Sequence, residues 1–166
     1  MLAMAEVAAI LLSGFCAAVI AIWGIISQRS IARRRATLDH IVRSQGDGDL
    51  IGARQTFISL AKEPGGLAIW AEADREKSRE TQSIALVLNE FELLAIGMQR
   101  GIIDFELYRR FNRSGVIHYW NHAAPFVHAL RARVDNQMIY HEFEELKRWM
   151  EDSAPPKRNH WIGRWF

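Results

Sequence analysis

Of 166 residues only Cys16 carries a thiol. A disulfide framework and a cysteine-based zinc site are thereby excluded. The chain also lacks the glycine loops that cradle phosphates: neither Gly-x-x-x-x-Gly-Lys nor Gly-x-Gly-x-x-Gly occurs. There is no Gly-x-Ser-x-Gly elbow, no His-Glu-x-x-His and no Glu-x-x-His pair. These gaps argue against a familiar nucleotide enzyme, serine hydrolase, zinc protease or ferritin-like di-iron protein. Convincing strand alternation is missing as well. A net charge of +2 is too small in itself to point to nucleic acid.

Charge is absent altogether from Val7 to Gln28, 22 residues in a row. At about 1.5 Å rise per residue, a helix of that length covers roughly 30 Å, the thickness of a bilayer core. Buried helices of soluble proteins rarely stay uncharged so long. A secretory signal would place basic residues before the apolar run, yet only Glu6 precedes it, and Arg29, Arg33, Arg34 and Arg35 follow. This asymmetry predicts an uncleaved single-pass anchor, N-terminus outside and the remaining chain in the cytoplasm. Trp23 and the four arginines are the expected contacts with the interface and its anionic headgroups. Gly14 with Ala18, and Ala17 with Ala21, are spaced for close helix packing in lipid. Cys16, inside the run, reads as a small apolar filler.

Beyond the anchor, charge is unevenly spread. Residues 29–45 hold five arginines and one aspartate; residues 46–154 hold 13 basic and 17 acidic side chains; residues 155–166 hold three basic ones and no acid. Helical periodicity runs throughout. The first helix is expected to continue to about Gln45 with Ile31, Leu38, Ile41 and Val42 as its apolar stripe, stopped by Gly46-Asp47-Gly48. A second runs from Asp49 to Lys62 and presents Leu50, Ala53, Phe57 and Leu60. After Pro64-Gly65-Gly66 comes the longest, Leu67 to Arg100, first polar, with Glu72/Arg75, Asp74/Lys77 and Glu76/Arg79 at the i,i+3 spacing that supports an exposed helix, then apolar at Ile84, Val87, Leu88, Phe91, Ala95 and Met98. Asp104 and Ser114 are the expected caps of two further helices, the later one kinked or divided by Pro125. A last helix follows Asp135-Asn136, with Ile139, Phe143, Leu146, Trp149 and Met150 apolar.

Four stretches carry a family resemblance: Leu88-Asn-Glu-Phe-Glu-Leu-Leu-Ala-Ile-Gly97, Gly101-Ile-Ile-Asp104, Ser114-Gly-Val-Ile-His-Tyr-Trp120 and Tyr140-His-Glu-Phe-Glu-Glu-Leu-Lys-Arg-Trp149. From about residue 30 to 150 the chain resembles an uncharacterised bacterial and phage domain-of-unknown-function family of small, N-terminally membrane-anchored helical proteins. Asn-Glu-Phe-Glu and Tyr-His-Glu-Phe-Glu are the most specific parts of the match. The resemblance implies this architecture and a bacterial inner-membrane location. It implies no activity, substrate or cofactor and transfers no catalytic residue.

Few residues invite chemistry. His118 and His122 share a helix face, as in many zinc sites, but nothing in the sequence fixes a third ligand. They are the weak metal candidates beside a default of half-exposed helix histidines. Glu90 and Glu92 are two apart and point away from each other, while Glu142 and Glu145 share a face. Such carboxylates are expected to pair between helices with Arg100, Arg109, Arg110 or Arg113. The basic aromatic tail, with Trp161, Arg164, Trp165 and Phe166, is open to packing on the bundle, touching the membrane interface or docking into a partner.

The expectation is an all-α protein with a single N-terminal transmembrane helix extending into a cytoplasmic bundle of about five to six helices. The divisions are anchor (1–28), basic juxtamembrane helix (29–45), bundle (46–154) and tail (155–166). The expected role is a non-catalytic scaffold or accessory subunit, without cofactor or catalytic residues. Its expected partners are the bilayer and a membrane protein or a second copy, not nucleic acid. The alternatives are a phage-related or defence effector acting by oligomerisation in the membrane, and an unrecognised metal-dependent enzyme.

Overall fold

The computed structural model describes residues 2–153 and 155–156, with side chains from residue 11 onward. It contains five α-helices and no strand among the described residues: α1 (Leu2–Gly46), α2 (Gly48–Ala61), α3 (Arg79–Gln99), α4 (Phe105–Val134) and α5 (His141–Asp152). Between α2 and α3 lie two short 3-10 turns, Ala68–Ala71 and Ala73–Arg75.

Helix α1 runs unbroken for 45 residues. From Leu11 on it is long and apolar enough to cross a membrane, and none of its apolar window is buried. The chain turns at Asp47, whose carboxylate accepts the Leu50 N–H at 3.1 Å and so caps α2. Helix α2 then buries Leu50, Ala53, Phe57 and Leu60, the face its periodicity specifies. Helix α3 likewise buries Ile84, Val87, Leu88, Phe91, Leu94, Ala95 and Met98. Gly101 ends that helix region with φ of 69°, a left-handed conformation in which glycine is unstrained.

Two expected elements take another form. Residues 67–78 are not the first half of a long helix. Leu67 and Ala71 are buried, and the polar stretch after them folds as tight turns. Ser78 opens α3, its hydroxyl accepting the Thr81 N–H at 3.1 Å, while the Thr81 hydroxyl donates to the Trp70 carbonyl at 3.2 Å. Capping at Ser78 and burial of Leu67 thus outweigh the i,i+3 charge pairing that favours an exposed helix. Of those pairs only Glu72–Arg75 is in reach, at 3.9 Å, and Glu76 instead meets Arg133 at 3.0 Å.

The two helices expected from Asp104 and Ser114 are one, α4. Its single non-helical residue is Asn112 (φ −138°, ψ 26°), and helical geometry continues through Pro125. The bend is therefore at Asn112, not at the proline. The Asn112 carboxamide donates to the Tyr108 hydroxyl at 3.0 Å and lies over Gly115, where a Cβ would overlap its Oδ1.

Aromatic rings bind the helices at mid-height. Phe91 stacks on Phe143 with centroids 4.6 Å apart, and Trp120 meets Phe143 edge-on at 5.1 Å. Tyr119 packs beside both Phe57 and Phe91, at 5.4 and 5.2 Å. Offset and edge-on pairs of this kind contribute about 0.5–1.5 kcal/mol each beyond area burial.

Candidate functional site at the junction of the N-terminal helix and the bundle

Where α1 leaves its apolar run it docks on the bundle through polar residues. Thr37 is fully buried; its hydroxyl donates to the Arg33 carbonyl at 2.8 Å and accepts the Asp104 N–H at 2.8 Å. Asp104 in turn caps α4, accepting the Leu107 N–H at 3.0 Å. Arg33 lies 3.6 Å from the Asp104 carboxylate. A helix start carries unsatisfied N–H groups and partial positive charge, so a hydroxyl on α1 is the group that fits there. The expected stripe turns the other way: Ile41 is buried, but Ile31, Leu38 and Val42 are 61%, 52% and 69% exposed. The docked face repeats instead as Arg33, Thr37, His40, Ile41 and Ser44, a polar 3–4 spacing that a search for apolar periodicity passes over.

Farther along α1 a second polar cluster joins four helices. Arg54 of α2 holds Glu90 of α3 in a two-pronged contact, at 2.6 and 2.7 Å, and donates to the Ser44 carbonyl of α1 at 3.2 Å. His40 sits 6.1 Å from the Tyr108 ring of α4. Burial holds the His40 imidazole below its ordinary pKa; the Glu90 charge opposes this, and Arg54 and Arg43 reinforce it. Burial also pushes the Tyr108 phenol up to about 12, so it remains protonated as the acceptor for Asn112. Arg54 borders an open groove of about 740 Å³ shared with Ile51, Ile58, Lys62 and Tyr119.

The carboxylates pair, but with other partners than expected. Glu92 accepts the Phe143 and Glu142 N–H groups at 2.7 and 3.3 Å. It supplies from α3 the cap that α5 lacks, because Tyr140 at that position makes no side-chain cap. Burial raises the Glu92 pKa, and these two N–H bonds only partly offset it. Glu144 meets Arg131 at 2.8 Å, and Arg131 also donates to the Ile139 carbonyl at 2.8 Å. Glu142 accepts from Gln99. Arg109 and Arg110 fork Glu106 on their own helix, each at 3.0 Å, and hold its carboxyl down to about 2. Arg113 binds the Met150 and Glu151 carbonyls at 2.8 and 3.3 Å, and Arg100 is exposed. Apart from Glu106, whose partners lie on its own helix, these paired carboxylates join one helix to another.

His118 and His122 do come together, rings 4.5 Å apart. Among the described residues no third His, Cys, Asp or Glu joins them in a metal-holding group. Burial, His118 and Lys62 lower the His122 pKa. On the apolar run, Gly14, Ala17, Ala18, Ala21 and Trp23 are all exposed, and nothing lies within 4 Å of a Cβ placed at Gly14. Arg29, Arg34 and Arg35 are exposed, whereas Arg33 turns inward to Asp104. Trp161, Arg164, Trp165 and Phe166 lie outside the described residues.

The molecule is thus an all-helical bundle carried on a long N-terminal helix with an apolar, uncovered outer part. Residues 11–149 match the family model described as Domain of unknown function (DUF4760), and the chain belongs to that family. No curated protein and no solved structure matches the chain. The two segments most specific to the sequence resemblance are packed on each other: Phe91 on Phe143, and Glu92 on the N–H groups that open α5.

Proposed function

We propose that this protein is a non-catalytic, membrane-tethered scaffold or accessory subunit that acts through protein–protein contacts in a membrane assembly. The observation that carries this reading is the continuity of α1. One helix leads from an apolar run of membrane-spanning length into a buried polar joint with α4, which makes tether and bundle a single lever. The exposed Ile31, Leu38 and Val42, on the side of α1 turned away from the bundle, support a partner lying alongside it. Arginines on only one side of the apolar run support an N-terminus outside and the bundle in the cytoplasm of a bacterial inner membrane.

The test is mild-detergent purification from native membranes under the native promoter, with intact-complex mass measurement and identification of companions. A stoichiometric second protein is the expected result. A bare monomer sinks the proposal. A homo-oligomer that dissociates when Gly14 and Ala18 are replaced by leucine transfers the weight to an effector acting by self-assembly.

A further inference from the structure

At the end of the bundle away from Asp104 lies a cleft of about 570 Å³, bounded by the start of α3, the last turns of α4, the first 3-10 turn and Tyr140. Ligand pockets run from roughly 300 to 1,000 Å³. Ala71 and Ala85 present only methyl groups to the cleft, while Phe126 and Leu130 provide broad apolar surface. Two contacts hold the turn in place. The Thr81 hydroxyl donates to the Trp70 carbonyl at 3.2 Å, and the Arg75 guanidinium lies over the Trp70 ring, 5.0 Å from its centre. Tyr140 has φ of 53°, a left-handed conformation that a bulky side chain rarely adopts and that persists only where its surroundings fix it.

The polar groups on these apolar walls are chiefly donors with capacity to spare. The Trp70 indole N–H is buried and has no hydrogen-bond partner among the described residues, whereas buried polar groups are ordinarily paired. Arg133 gives Nη1 to Glu76 at 3.0 Å, and its Nε and Nη2 have no partner among the described residues. Glu76 is the one carboxylate on the cleft, and at 63% exposure it holds Arg133 only weakly. Burial, reinforced by the Glu92 charge, raises the Tyr140 pKa, so that hydroxyl keeps its proton as a further donor. Such a set of walls favours a flat apolar body that carries a negatively charged acceptor. Arg133 and Arg75 repel a cation, and the planar fork of arginine matches a carboxylate.

We propose that this cleft binds a small aromatic monocarboxylic acid, its ring against Phe126 and Leu130 and its carboxylate on the free edge of Arg133. A ligand there bridges α3, α4 and the first 3-10 turn. The site is independent of the scaffold reading and of whether α1 crosses a membrane.

The experiment is equilibrium dialysis of the full chain in lipid nanodiscs against naphthoate, with empty nanodiscs subtracted and naphthol as the uncharged control. A single saturable naphthoate site per chain is expected, with naphthol bound about tenfold more weakly, the effect of one charge-assisted hydrogen bond. Arg133→Gln should remove that preference and leave naphthol binding unchanged. Ala85→Phe should fill the cleft and abolish binding of both compounds. Hydrogen exchange on the unaltered protein needs no variant: naphthoate should slow exchange in residues 68–85 and 126–140. The absence of a saturable site, equal affinity for the two compounds, or slowed exchange confined to other segments overturns the proposal. So does a preference for naphthoate that survives Arg133→Gln, or undiminished binding by Ala85→Phe.

Discussion

Thr37 shows how one side chain can fix the relation between the long N-terminal helix and the bundle. Its hydroxyl is fully buried and is the acceptor for the N–H of a helix-capping residue. Thr37→Val keeps the shape and removes the acceptor, leaving the Asp104 N–H buried and unpaired. The expected loss is about 1–3 kcal/mol, read as a lower unfolding midpoint in detergent; an unchanged midpoint contradicts the joint. Glu92 is a different case. Its pKa is raised, chiefly by burial, so the folded state holds its proton more tightly than the unfolded chain does. Its contribution therefore weakens stability as pH rises from the ordinary carboxylate range through the raised value. Glu92→Gln carries no charge to bury, so its stability should vary less with pH across that window. Equal slopes for the two proteins rule out this role for the Glu92 charge. Glu144 has the opposite sign. Partial burial pushes its pKa up, but the Arg131 hydrogen bond and charge outweigh this and leave it lowered. That contribution is present above the ordinary carboxylate range and fades as pH falls through the lowered value.

At the level of elements, legibility followed the physics of each signal. Helices α2 and α3 were readable because their buried faces are apolar at helical spacing, and a regular pattern survives without knowledge of the partner. The junction was not, because its docked face is polar. Arg33, Thr37, His40 and Ser44 make sense only once the start of α4 is seen against them. Ile31, Leu38 and Val42 imitated a core stripe while facing outward. Residues 67–78 do not form the helix their charge spacing favours, because local charge pairs are worth a few tenths of a kcal/mol each, less than burial of Leu67 together with the Ser78 cap. The kink sits at Asn112 and not at Pro125: Asn112 leaves helical φ/ψ, and its carboxamide donates to the Tyr108 hydroxyl one turn earlier. Gly115 leaves the space this needs. Gly115→Ala should therefore destabilise the fold despite the better helix propensity of alanine. A rise in unfolding midpoint would show that the Asn112 bend is dispensable.

For the whole molecule, the consequence of these joints is mechanical. Helix α1 docks at two points, Thr37 with Asp104 and Ser44 with Arg54. Arg54 is held in turn by Glu90, and Phe91 and Glu92 beside it connect onward to α5. A displacement of the apolar part of α1 is thereby passed into the bundle through contacts rather than across a flexible linker. Breaking this chain should loosen α1 while leaving α2–α5 packed. Glu90→Gln, which keeps the shape and removes the charge, is expected to expose the 33–46 segment to protease before the bundle unfolds, and simultaneous loss of both would contradict it. The most direct test of the account is hydrogen exchange along α1 in lipid nanodiscs. The account predicts slow exchange that continues without a gap from the apolar run through residues 29–46. Fast exchange confined to 29–37, with protection on both sides, would mean a hinge where the structure places a rigid joint, and would contradict it.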